Sequence, residues 1–201
     1  MHQLELPFQN RTAGANRINR GTVMIDRTSD PSAATGDPRQ FLLMAVRTFV
    51  HEIRGLAGLH RIALMGSLTT DKLTPKDADV LVTIDPGLDL TDLARAARRL
   101  KGAAQARNLG ADIFLADPQH HYLGRVCQYR QCHPRVACRA QNCGRYPHLN
   151  DDLQIVTLAP DLIAAPPVDL GPTVVRRISA PDDVEDVLLA GLQDRIPSAR
   201  R

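Results

Sequence analysis

Residues 62–82 read IALMGSLTTDKLTPKDADVLV, and this stretch decides the fold. It holds two apolar runs, at 62–65 and 80–82, with the length and composition of short buried strands. Gly66-Ser67 follows the first run, and Asp77-Ala78-Asp79 leads into the second. Side chains two positions apart on a strand point to the same face, so Asp77 and Asp79 are expected to lie side by side.

This pair of carboxylates predicts a cation site. Neighbouring carboxylates repel and raise each other's pKa unless a positive charge neutralises them. Mg²⁺ suits that need because it binds a few carboxylate oxygens together with phosphate oxygens. A Gly66-Ser67 turn that opens a helix would offer backbone N–H groups to phosphates. Together these features predict metal-assisted transfer from a nucleoside triphosphate; the alternative is that Asp77 and Asp79 merely form the exposed face of a half-buried strand.

The pattern Gly66-Ser67-x9-Asp77-x-Asp79 resembles the signature of the DNA polymerase β-like nucleotidyltransferase superfamily, and the resemblance covers residues 40–117. It implies a third carboxylate on a later strand of the same sheet. Asp112, within GADIFL at 110–115, fits that place, and Asp117 is the competing choice. The resemblance thus implies three catalytic residues that bind magnesium: Asp77, Asp79 and Asp112. It also implies a nucleotide-binding group: Gly66, Ser67, Lys72 and Lys76. Solvated surface is the alternative for the two lysines.

The order of predicted elements indicates an α/β (α+β) fold, a mixed β-sheet with helices packed on it. Leu42, Val46, Phe49 and Ile53 repeat at helical spacing after Asp37-Pro38, which can start a helix. Strands are expected at 61–65, 78–84, 110–116 and 152–158, with helices after Asp89 and over 181–192. The predicted organisation is a polar arm (1–38) with a short strand at 21–26, a nucleotidyltransferase-like core (39–117), a Cys-rich module (118–150) and a C-terminal part packing on the core (151–201).

All four cysteines of the chain fall in that module, at Cys127, Cys132, Cys138 and Cys143. Thiolates at this density predict a tetrahedral Zn²⁺ site, with His133 or His148 able to replace one ligand. An iron–sulfur cluster, buried thiols and two disulfides are the alternatives. The module has few apolar residues, so metal binding would supply the free energy that orders it.

Composition limits the remaining choices. The 201 residues suit one domain with a small appendage, and a formal charge of +3 does not by itself require nucleic acid. The absence of a long apolar run or a signal-peptide pattern predicts a cytoplasmic protein without a membrane partner. The predicted function is magnesium-dependent transfer of a nucleoside monophosphate to a hydroxyl of a small molecule, a protein or an RNA. The alternatives are a non-catalytic nucleotide-binding or antitoxin-like protein, and a zinc-dependent nucleic-acid-binding protein that uses the five arginines of the Cys-rich module.

Overall fold

The computed structural model describes residues 37–127, 147–151 and 153–193. The predicted strand at 21–26, most of the N-terminal arm and the basic end of the chain therefore lie outside the described residues. The elements, in chain order, are α1 (Pro38–Ile53), β1 (Leu59–Met65), a 3-10 turn (Gly66–Thr69), β2 (Asp77–Ile84), α2 (Thr91–Gln105), β3 (Gly110–Ala116), β4 (Tyr122–Val126), β5 (Leu149–Asn150), α3 (Pro160–Ala164), β6 (Val168–Gly171), β7 (Val175–Arg176), a π-helical segment (Val184–Leu189) and α4 (Ala190–Gln193).

The predicted mixed sheet with helices is confirmed. Seven strands pair in the order β5-β4-β3-β2-β1-β6-β7, and every neighbouring pair is antiparallel except β2 and β3. A parallel pair needs a crossover connection, and α2 supplies it. Because β2 and β3 are parallel, both begin at the same end of the sheet, and β1, which is antiparallel to β2, finishes at that end.

The first helix forms as its sequence predicts. Asp37 accepts a hydrogen bond from the Arg39 N–H across 3.0 Å, and Pro38 occupies the first helical turn. The predicted apolar stripe of α1 is buried at Leu42, Val46, Phe49 and Ile53. The second helix begins at Thr91, where Asp89 accepts hydrogen bonds from the Thr91 N–H and hydroxyl.

The two faces of the sheet carry different cores. Ala78, Val80 and Val82 of β2 belong to the main cluster, which includes residues of α1 and α2. Leu81 and Phe114 point to the other face and pack in a smaller cluster with Ile163 of α3. Among the described residues, the long helices cover one face, and residues 156–163 cover part of the other.

Two parts of the C-terminal region differ from the prediction. The strand expected over 152–158 is wrong, because residues 153–158 form turn and coil; Val156 and Leu158 pack on the smaller cluster while Ile155 remains 82 % exposed. Alternating apolar residues there serve packing without backbone pairing. The helix expected over 181–192 is present, although its middle, Val184–Leu189, is π-helical before α4 continues to Gln193.

The segment assigned to the Cys-rich module also contributes to the sheet, because β4 and β5 extend it beyond β3. Among the described residues, no helix has both the length and the apolar character to cross a membrane.

Candidate functional site

The three predicted carboxylates share one face of the sheet. Asp79 and Asp112 are register partners on the parallel strands β2 and β3, and Asp77 precedes Asp79 by two residues. Because side chains alternate along a strand, Asp77 and Asp79 lie on the face of Leu81, and Asp112 lies on the face of Phe114. This is the face opposite α1 and α2. The Gly66–Thr69 turn adjoins these residues, since Met65 at the end of β1 pairs with Asp79.

Gly66 and Gly110 each leave room for one carboxylate. Gly66 has a φ of +67°, a region that favours glycine, and a Cβ added there would overlap Oδ2 of Asp79. A Cβ at Gly110 would likewise overlap Oδ1 of Asp77. The two glycines therefore let Asp77 and Asp79 lie close against the backbone of the neighbouring strand ends.

The 3-10 turn is held by hydrogen bonds of its own residues. The Thr69 hydroxyl donates to the Gly66 carbonyl across 2.8 Å, and the Thr70 hydroxyl donates to the Ser67 carbonyl across 2.9 Å. Within the described residues, no hydrogen bond of the Ser67 hydroxyl is found. That hydroxyl is therefore able to bond a ligand beside Asp79. The 3-10 turn ends at Thr69, and residues 70–71 continue as turn.

The pKa of Asp79 is raised by its surroundings. Burial raises its pKa, and the negative charges of Asp112 and Asp77 raise it further, to about 6. The ordinary value is 3.8. A nearby cation would reverse the contribution of the like charges, because it favours the ionised carboxyl. A cation at this position would therefore lower the pKa of Asp79 and stabilise its ionised carboxylate.

Asp112 is engaged with two side chains. Lys101 Nζ lies 3.2 Å from Oδ1 of Asp112 and 3.3 Å from the Val126 carbonyl oxygen. Arg125 Nη1 lies 3.4 Å from the same Asp112 oxygen. The Lys101 side chain is buried, although a lysine ordinarily faces solvent. The side chain extends from α2 to Asp112 and to the Val126 carbonyl, and these contacts offset the cost of burying the ammonium group.

The lysines assigned to nucleotide binding lie between the turn and β2, and both are exposed. The Lys72 carbonyl accepts a hydrogen bond from Arg39, and the Lys76 carbonyl accepts one from the Gly110 N–H. Their backbones thus help to shape the site. The structure assigns their ammonium groups no partner among the described residues.

Asp117, the competing third carboxylate, lies beyond the opposite end of β3. It accepts hydrogen bonds from the backbone N–H groups of Gln119 and His121, and pairs with His121 Nδ1 across 2.8 Å. Burial alone would raise the pKa of Asp117, but these hydrogen bonds outweigh it and lower the pKa. Asp117 therefore stabilises the turn before β4 and is separated from Asp77 by the length of the strand.

Of the predicted zinc ligands, Cys132, Cys138, Cys143 and His133 lie outside the described residues. Cys127 is buried, and its N–H donates to the carbonyl oxygen of His148. Arg98 Nη2 lies 3.7 Å from Cys127 Sγ and 3.1 Å from His148 Nδ1. Burial lowers the pKa of His148, and the charge of Arg98 lowers it further. Cys127 and His148 therefore lie together beside Arg98 of α2.

The donor set at Asp77 and Asp79 fits a hard divalent cation, because carboxylate oxygens accumulate negative charge there. Among residues 37–127, 147–151 and 153–193, however, no group of three or more His, Cys, Asp or Glu side chains is arranged to hold a metal ion. Asp112 is paired with Lys101 and Arg125 instead. The pair Asp77 and Asp79 is thus the candidate ligand set, with Asp112 available only if it leaves its cationic partners.

Sequence reasoning missed two basic residues near the site. Lys101 follows Leu93 and Ala97 at helical spacing, and that position on the apolar stripe was a signal of burial. Arg39, discussed below, is the second residue of α1. Nothing in its local sequence indicates burial, because its partners lie far along the chain.

The model of a family of unknown function (DUF6932) matches residues 27–136, which is more than half of the chain. No curated protein and no solved structure matches the chain. The matched segment includes the turn, all three carboxylates and the first two cysteines, Cys127 and Cys132.

Proposed function

The chain belongs to a family of unknown function (DUF6932), and from its site we propose that it is a magnesium-dependent nucleotidyltransferase with a polymerase β-like core. It would move a nucleoside monophosphate from a nucleoside triphosphate to a hydroxyl acceptor. The observation that carries this proposal is the position of the Asp79 carboxylate against Gly66, opposite Asp112 on the next strand. A phosphate-binding turn and a cation site would then be in direct contact.

In this proposal Asp77 and Asp79 would hold a Mg²⁺ ion, whose positive charge would stabilise the charge that develops on the triphosphate. Gly66 lets a phosphate approach the backbone, and Ser67 hydrogen-bonds a phosphate oxygen. The acceptor oxygen forms a bond to the α-phosphorus while the bond to the β-phosphate breaks. The hydroxyl proton passes to a carboxylate, for which Asp112 is the candidate. Most of the rate enhancement would come from alignment and charge.

We also propose that the segment that starts at Cys127 binds one Zn²⁺ through Cys127, Cys132, Cys138 and Cys143. The contacts of Arg98 with both Cys127 Sγ and His148 Nδ1 support this, because they place a thiol and an imidazole close together. The role of this Zn²⁺ would be structural.

A second candidate is a nucleotide-binding protein without turnover. The observation that favours it is the pairing of Asp112 with both Lys101 and Arg125. A third carboxylate that stays with these cations would not orient an acceptor, although Asp77 and Asp79 could still bind a metal–nucleotide complex.

The test is incubation of the purified protein with Mg²⁺ and each of the four labelled triphosphates, with and without cell extract. Transfer of label with release of pyrophosphate supports the enzyme, and binding without release supports the second candidate. Asp77→Asn and Asp79→Asn should each abolish the reaction. Asp71→Asn, which removes the same charge at an exposed position in the same segment, is the matched control and should leave it unchanged. Full activity of Asp79→Asn would contradict the metal assignment.

A further inference from the structure

Arg39 is a buried arginine at the start of α1 whose partners come from two distant parts of the chain. It is 5 % exposed. Nη2 donates to the Leu68 carbonyl across 3.1 Å, and Nη1 donates to the Lys72 carbonyl across 3.0 Å. Nε and Nη2 also pair with the two carboxylate oxygens of Asp183, which immediately precedes the π-helical segment.

Burial of a guanidinium is costly unless its donors are satisfied, and four of the five N–H donors of Arg39 have partners here. The planar group of Arg39 carries its donors in a fixed fork, so partners on two sides can be held at defined positions. One side is Asp183, which balances the charge. The other side is a pair of carbonyls, Leu68 and Lys72, that bracket the segment directly after Gly66-Ser67.

The carbonyl contacts act on the turn itself. Leu68 belongs to the Gly66–Thr69 turn, and its side chain is buried in the main cluster. Segment 70–74 is exposed. The Lys72 carbonyl contact is therefore a fixed point in a stretch that burial does not hold.

From these contacts we propose that Arg39 is a positioning residue for the nucleotide site. It fixes the position of the Gly66–Thr69 turn and of the segment that follows it, through the Leu68 and Lys72 carbonyls. The inference rests on the proposed function of this turn. Asp183 supplies the counter-charge for Arg39, but among the described residues it makes no hydrogen bond to the turn, so the two residues have separable roles.

Three variants separate positioning from general stability. Arg39→Met removes the ion pair and both carbonyl contacts. Arg39→Lys keeps the charge but lacks the fork that reaches both carbonyls. Asp183→Ala removes the counter-charge and leaves the donors to Leu68 and Lys72 in place. All three are compared at a temperature at which circular dichroism shows each protein folded.

The first measurement is the apparent Kd of the protein for an equimolar mixture of the four labelled nucleoside triphosphates in the presence of Mg²⁺. Loss of charge-assisted hydrogen bonds that fix the turn should weaken binding by on the order of tenfold in Arg39→Met and Arg39→Lys. Asp183→Ala should change Kd less than about twofold, even where it lowers the melting temperature as much as Arg39→Met does. Equal loss of binding in Asp183→Ala and Arg39→Met would overturn the proposal, as would unchanged binding in both Arg39 variants.

The second measurement is amide hydrogen exchange over residues 66–72, which needs no ligand. Exchange should accelerate in both Arg39 variants relative to Asp183→Ala, while amides of β2 and β3 stay protected. Unchanged exchange in the Arg39 variants would overturn the positioning role whatever the nucleotide result. A wild-type protein that binds no triphosphate, but shows the expected exchange, would instead refute the proposed function and reduce Arg39 to a residue that orders the turn.

Discussion

Asp79→Asn should stabilise the metal-free protein, because Asp79 is a half-buried carboxylate that faces two others. Its pKa rises from 3.8 to about 6 through burial and the charges of Asp112 and Asp77. Each unit of pKa difference between the folded and unfolded states corresponds to about 1.4 kcal/mol. The shift therefore sets an upper bound of roughly 3 kcal/mol on the cost of ionising Asp79 in the folded protein. Solvent screening at a partly exposed site reduces this to on the order of 1–2 kcal/mol.

The sign of the pH dependence follows from proton binding. Between pH 3.8 and about 6 the folded state holds the Asp79 proton more tightly than the unfolded state does. The free energy of unfolding therefore falls as the pH rises through this window. The cost is absent below the window and fully present above it. Asn carries no charge, so the stability gain of Asp79→Asn should be near zero at the low end and greatest above pH 6.

The assay is urea unfolding, followed by circular dichroism, at intervals across this pH range in the presence of a chelator. Asp71→Asn is the control for loss of one charge at an exposed position, and it should stay within about 0.5 kcal/mol of the wild type throughout. Adding Mg²⁺ above pH 6 should stabilise the wild-type protein and not Asp79→Asn. A variant that is less stable than the wild type at high pH, or a gain that does not vary with pH, would refute the electrostatic reasoning.

Three further predictions concern single positions. Lys101→Met should lower the free energy of unfolding by roughly 2 kcal/mol in urea titrations, because it removes a buried donor from Asp112 and from the Val126 carbonyl; a neutral effect would mean that Arg125 alone satisfies Asp112. Gly110→Ala should raise the Kd for Mn²⁺, measured by electron paramagnetic resonance, because the added methyl group displaces the Asp77 carboxylate; Gly102→Ala, where a Cβ meets nothing within 4 Å, is the control. Elemental analysis should find about one equivalent of zinc per chain, lost in Cys127→Ser; iron with visible absorption would indicate a cluster, and no metal would end the zinc hypothesis.

The local elements of this protein could be predicted from sequence because their signals are local. Helix α1 follows from Asp37-Pro38 and an apolar stripe at helical spacing, and β2 follows from an unbroken apolar run. The shared face of Asp77 and Asp79 also follows from sequence, since strand alternation fixes it. The strand predicted over 152–158 failed because alternation alone does not provide a backbone partner, and pairing across a sheet depends on the whole topology.

The environment of each candidate residue was decided by tertiary structure. The parallel pairing of β2 with β3 sets Asp112 opposite Asp79, and the fold of α2 sets Lys101 against Asp112. Arg39 shows the same limit, because the partners that bury it lie at Leu68, Lys72 and Asp183. Sequence determines which groups a segment can present, whereas long-range packing determines which charges meet. The pKa of Asp79 depends on that second step, because Coulomb energies and desolvation vary with distances that only the folded chain defines.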